Sequence, residues 1–163
     1  MNVVIHALNG LLVVELVRLR AGASGVERDA ARRLGLATAL LFALHPLQTE
    51  AVTYASGRSA SLSTAFALAS IVVWARGRAK ATAASATGAG AAASGPATAG
   101  GGLAMRVVSP LLMGLGLAVK ESAVVVPAIL VLWLAVDAGR PRRLGAMVRE
   151  TAMHWAVLVA TKR

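Results

Sequence analysis

Apolar runs alternate with short clusters of arginine along this chain. Val3 to Leu19 is apolar, broken by His6, Asn9 and Glu15. Ala30 to Leu47 is a second run with Pro46 near its end, and a polar stretch from Gln48 to Ser61 follows. Leu62 to Ala75 is apolar again and stops at Arg76. Leu103 to Val119 and Ala123 to Val136 flank Lys120-Glu121-Ser122, and Met147 to Ala160 is a last run, incomplete because the chain stops at Arg163. Each run is short against the roughly 20 residues that a bilayer core requires. The third becomes long enough if its helix starts near Ser59. The pattern predicts an all-α, polytopic transmembrane bundle of about five to six spans. Residues 1–78 hold the first three helices, 79–102 an Ala/Gly linker of low complexity, and 103–163 the remaining helices with a Lys-Glu turn.

Composition agrees with that class. Of the 163 residues, 57% are hydrophobic and 15% charged, and the mean hydropathy is +0.69. Soluble domains run nearer 45–50% apolar and about 25% charged. Aromatics are only 4%, so the apolar mass is Ala, Leu and Val, the material of a lipid-facing surface. There is no cysteine, which removes disulfides and thiolate metal sites. The first run is not a signal peptide in form, because its charges, Arg18 and Arg20, follow the apolar segment instead of preceding it.

The net charge of +10 invites a nucleic-acid reading, but the positions of the charges oppose it. Arg18 to Arg33, Arg76 to Lys80 and Arg140 to Arg143 fall between spans, with no basic face interleaved with aromatics. With the first cluster on the cytoplasmic side, every other cluster lands there too, as the positive-inside rule requires. The two polar interruptions, His45 to Ser61 and Lys120 to Ser122, then share the opposite side. A single long span through Lys120-Glu121 would break that pattern, so a hairpin is expected there.

Three constellations carry candidate chemistry. The first is Leu44-His45-Pro46-Leu47-Gln48-Thr49-Glu50, continuing to Ser56-Gly57-Arg58-Ser59. Pro46 ends the helix interior, Gln48 to Tyr54 suits a short surface helix, and Ser59 is a candidate N-cap. The alternative is an ordinary solvated loop. The second is Lys120-Glu121: either a cation that holds a phosphate or carboxylate beside a tuning carboxylate, or a local turn at the membrane interface. The third is Asn2, His6 and Asn9, which share one helix face and are expected to look into the bundle and bond between helices. Glu15 is expected to pair with Arg18, and His154 and Trp155 read as interfacial anchors. Gly88 to Gly102 lacks the lysine and preceding strand of a phosphate loop, and no metal-ligand spacing stands out.

Three of these stretches resemble one family. HPLQTEAVTYASGRSASLSTAFAL, GLAVKESAVVVPAILVL and NVVIHALNGLLVVELV are similar to segments of the transmembrane and tetratricopeptide-repeat-containing proteins, O-mannosyltransferase-like membrane enzymes of the C-type glycosyltransferase fold. The resemblance covers most of the chain outside the Ala/Gly linker. It implies transfer of mannose from a lipid-phosphate donor, dolichyl phosphate mannose or a similar polyprenyl phosphate sugar, to Ser or Thr of an acceptor protein. No cofactor is implied. His45, Arg58, Lys120 and Glu121 would bind the donor phosphate or substrate, His6 and Asn9 would be polar residues of the bundle, and Glu50 would be the remaining carboxylate able to act as base. A poor hydroxyl nucleophile needs such a base, and a phosphate leaving group needs a cation.

The chain also departs from the family. The acidic motif of its first non-cytoplasmic loop would precede the first span, but Met1 stands directly before that span. The repeats that would follow are missing as well. A fragment, a wrongly assigned start or a decayed copy is therefore expected, of a multi-pass integral membrane protein: of the endoplasmic reticulum if eukaryotic, of the inner membrane if bacterial. Its other partners are the lipid bilayer and the acceptor protein, with no nucleic acid. The alternative function is a non-catalytic membrane scaffold or transporter-like bundle.

Overall fold

The computed structural model describes residues 2–46, 57–86, 102, 104–137 and 144–161. Among them all regular structure is helical, and no strand occurs.

Helix α1 spans Asn2–Ala23, 22 residues or about 33 Å at 1.5 Å per residue. It stops where Gly25 takes φ 78°, a left-handed conformation that a side chain would strain. Val26 N then donates to Ala21 O (3.0 Å) and Gly25 N to Gly22 O (3.1 Å), the paired bonds of a Schellman ending. Glu27 starts α2 (Arg28–Leu44) by accepting from Asp29 N and Ala30 N. Its end is dictated by Pro46, whose ring pushes His45 into extended backbone (φ −65°, ψ 129°). α1 and α2 are antiparallel and touch closely. A Cβ on Gly35 would sit 2.9 Å from Val14 O, so only glycine lets the two backbones meet there.

Helix α3 spans Gly57–Ala86. It runs in the same direction as α1, with Arg58 against Asn2, Ser61 against Asn9 and Arg76 against Glu15. The sequence pattern starts the linker at Ala79, yet residues 79–86 continue the helix. Alanine is the strongest helix former, and five of those eight residues plus a lysine favour continuation. The rest of the expected linker, residues 87–101, lies outside the described residues.

A π-helical turn, Ala104–Val108, leads into α4 (Ser109–Val119). Pro110 is tolerated there because a first-turn N–H has no partner inside the helix. α4 lies antiparallel to α3, with Ser109 at Ser70 and Gly116 at Ser63. The chain breaks at Lys120 (φ −162°, ψ 141°), forms a 3₁₀ turn over Glu121–Val125, and returns as α5 (Val126–Asp137). The return is marked by Trp133, which meets Trp74 edge to face at 6.5 Å. The chain therefore reverses at Lys120. α6 (Leu144–Glu150) and α7 (Ala152–Ala160) close the bundle, α7 lying beside α4.

The core joins Ile71, Trp74 and Ala75 of α3 to Met113 of α4, Val126, Leu130 and Leu134 of α5, and Met147 of α6. Outside it the surface is unlike that of a soluble bundle. Val3, Val4 and Leu11 of α1 and Leu40, Leu41 and Leu44 of α2 are all exposed, Leu44 by 78%. An apolar exterior of this extent marks a surface meant for something other than water. Two helices, α1 and residues 57–84 of α3, are long and apolar enough to cross a membrane. The apolar segments 105–119 and 121–136 are shorter.

Among the described residues, Arg18, Arg20, Arg76 and Arg78 share one end of this frame. Glu15 accepts from Arg18 at 3.1 Å, as expected, and also holds Arg76 at 3.0 Å. Arg78 pairs with Glu150 and lies over the Trp74 ring, while Arg20 lies over Trp133.

Candidate functional site

The opposite end collects the polar residues singled out in the sequence. α1 presents Asn2, His6 and Asn9 to its neighbours in turn. Asn2 Oδ1 accepts from Arg58 Nε at 3.1 Å, tying the start of α1 to the start of α3. One turn on, His6 Nε2 lies 3.3 Å from Ala43 O, and its ring stacks on Phe42 with centroids 5.3 Å apart. Asn9, 2% exposed, donates from Nδ2 to Ser61 O at 3.0 Å. Its Oδ1 is buried with no partner among the described residues.

Ser63 organises the second half of this end. Its Oγ lies 3.0 Å from Gly116 O, 3.2 Å from Lys120 O and 3.2 Å from Ser122 Oγ. A hydroxyl has one hydrogen, so Ser63 donates to one carbonyl while Ser122 can donate to it. Lys120 N closes the same knot by donating to Gly116 O at 2.9 Å. The backbone of the Lys-Glu turn is thus pinned to α3, while the Lys120 and Glu121 side chains remain exposed. Glu121 lines a cavity of about 330 Å³ with Leu117, Val124, Leu158 and Thr161.

These pairings bring His45, Arg58, Lys120 and Glu121 to the same end. His45 closes α2 just beyond the Ala43 that meets His6, Arg58 stands at the start of α3, and the Lys-Glu turn hangs on Ser63 five residues further on. Glu50 and the stretch Gln48 to Tyr54 lie outside the described residues. α3 begins at Gly57, so Ser59 sits inside its first turn rather than at the cap. Among the described residues no three His, Asp or Glu side chains converge where they could hold a metal ion. Among the described residues of the expected donor site, the charged groups are Arg58, Lys120 and Glu121, with the His45 imidazole.

Sequence reasoning missed a second polar knot at mid-bundle. Ser70 Oγ donates to Ser109 O at 2.7 Å, Ser109 Oγ lies 2.8 Å from Ser70 O, and His154 Nε2 lies 2.8 Å from Ser109 Oγ. All three residues are buried, His154 by all but 2%. The interfacial role read for His154 therefore fails: it joins α7 to α4 inside the bundle. Trp155 turns back to donate to Thr151 Oγ1 at 3.1 Å. A signal for this knot was present, since Ser63 and Ser70 on one helix and Ser109 and Gly116 on the other are both seven apart. Small residues at such spacing let two helix backbones approach.

Comparison with known proteins adds one partial likeness. Over 78 residues, 48% of its length, the chain is 33% identical to Protein O-mannosyl-transferase TMTC3 of Mus musculus. That stretch spans only 8% of the mouse protein. No family model matches the chain, and no solved structure matches it.

Proposed function

We propose that this chain forms part of a membrane glycosyltransferase domain that moves mannose from a lipid-phosphate donor to Ser or Thr of a protein. The observation that carries the reading is the likeness to the mouse O-mannosyl-transferase. The clustering of Arg58, Lys120 and Glu121 at the end away from the arginine clusters supports it. In this reading five to six helices span the bilayer, the arginine end faces the cytoplasm, and the donor is dolichyl phosphate mannose or a related polyprenyl phosphate sugar.

The proposed step is a substitution at the anomeric carbon. The acceptor hydroxyl oxygen forms a bond to that carbon as the bond to the phosphate oxygen breaks. Glu50 takes the hydroxyl proton, and the leaving phosphate carries away the electron pair. Arg58 and Lys120 stabilise its charge.

The test is transfer of labelled mannose from dolichyl phosphate mannose to an acceptor peptide, by the full protein in membranes. Lys120→Ala and Arg58→Ala are expected to lower the rate by about 10²–10³-fold, the usual cost of losing a charge-stabilising donor. Glu50→Ala is expected to cost about 10²–10⁴-fold. Unchanged transfer by all three, at normal expression, would refute the reading and favour a scaffold. Orientation is tested separately: an N-glycosylation acceptor placed near Gln48 is expected to be modified in microsomes. Modification of one placed in the Ala/Gly segment would invert the topology.

A further inference from the structure

The α1–α2 turn contains a feature that sugar transfer does not use. A recess of about 260 Å³ opens between the two helices at the arginine end. Arg18 and Arg28 line it on the charged side, Leu19 and Val26 on the apolar side, and Glu15 stands at its edge. Arg20, Arg32 and Arg33 stand near it in sequence, as do the carboxylates Glu27 and Asp29, and Arg76 reaches its Glu15. Glu15 is shared by two guanidinium groups, Arg18 at 3.1 Å and Arg76 at 3.0 Å, which are 45% and 57% exposed. One carboxylate between two cations leaves a net positive pair.

We propose that this recess binds the headgroup of an anionic phospholipid, with the phosphate between Arg18 and Arg28 and the glycerol end against Leu19 and Val26. The inference rests on the membrane reading but not on sugar transfer. The argument is one of charge and position. The guanidinium fork matches phosphate oxygens in pairs. The excess of cations favours a headgroup with net negative charge over one whose ammonium cancels its phosphate. Leu19 and the exposed Val26 give the recess an apolar side, which suits a lipid and not a free anion. Glu15 competes with the phosphate for Arg18, so it is a brake on binding.

The test places the full protein in nanodiscs of phosphatidylcholine containing phosphatidylglycerol and counts retained lipids by native mass spectrometry. Enrichment of phosphatidylglycerol is expected. Arg18→Gln with Arg28→Gln is expected to reduce it by roughly fivefold per arginine, the effect of one basic residue near an anionic surface. Glu15→Gln is expected to raise it, a gain that a misfolded variant cannot mimic. Arg32→Gln with Arg33→Gln removes the same charge outside the recess. An equal loss in that pair would show diffuse attraction and overturn the site. Competition by soluble glycerol phosphate at matched concentration would show a free-phosphate site and overturn the lipid assignment. Failure to enter nanodiscs at all would instead refute the membrane reading, whereas entry without enrichment refutes this proposal alone.

Discussion

Gly116 of α4 packs tightly against α3 and the 3₁₀ turn, and replacing it tests the packing directly. A Cβ there would stand 3.1 Å from the Ala123 Cβ, 3.3 Å from the Phe66 Cβ and 3.4 Å from Ser63 O. The first carbon of a side chain already fills the available space. Alanine is therefore close to neutral: its helix preference of about 1 kcal/mol over glycine is offset by the tight contact. Leucine adds three more carbons that have nowhere to go, and overpacking of this kind costs about 1–3 kcal/mol. Pushing α4 outward also lengthens the bond from Ser63 to Gly116 O, now 3.0 Å, at about 0.5–1.5 kcal/mol. The sum for Gly116→Leu is a loss of about 2–4 kcal/mol. Gly10 is the control, with no atom within 4 Å of a Cβ, so Gly10→Ala is expected to gain about 0.5–1 kcal/mol. Reversible unfolding in mixed detergent micelles, titrated with sodium dodecyl sulfate and followed by circular dichroism, measures both. The reasoning is refuted if Gly116→Leu stays within about 0.5 kcal/mol of the parent, or if the two substitutions change stability in the same direction.

The same assay checks three further changes. Ser109→Ala removes the hydroxyl that meets both His154 Nε2 and Ser70 O, leaves the buried imidazole nitrogen unpaired and is expected to cost about 1–3 kcal/mol; a loss no larger than that of an exposed serine would dismiss the knot as incidental. Trp74→Ala empties the centre of the α3–α5 core and is expected to cost about 3–5 kcal/mol, with a matching loss of the Trp133 near-ultraviolet signal. Asn9→Leu removes one bond to Ser61 O but also an unpartnered buried oxygen, so it is expected to cost less than about 1 kcal/mol. Asn9→Asp buries a charge there and is expected to be clearly worse; the reverse order would show that Asn9 Oδ1 has a donor after all.

Much of this was legible in the sequence, and for physical reasons. Pro46 ends α2 wherever the helix packs, because a residue before proline avoids helical backbone. Asn2, His6 and Asn9 fall on one face by helical period alone. Glu15 and Arg18 are three apart and meet without help from the rest of the fold. The end of α3 was less legible. The Ala-rich segment after Arg78 has the composition of a linker and the propensity of a helix, and residues 79–86 followed propensity. His154 was misread because a lone histidine beside a tryptophan looks the same in sequence at an interface or in a core.

By itself the sequence determined the helical class, the grouping of arginines away from His45, Arg58 and Lys120, and the break at Lys120. These depend on hydropathy, charge order and local backbone preference, which act over a few residues. Only the tertiary structure decided which helix each polar group meets. Arg58 with Asn2, Ser63 with the Lys-Glu turn, and Ser70 with Ser109 and His154 join residues 39 to 57 positions apart. The local pattern cannot rank such partners, because a buried polar group is satisfied by any donor or acceptor the packing brings within reach. The close approach of α4 to α3 at Gly116 is what brings Ser63 within reach of the Lys-Glu turn.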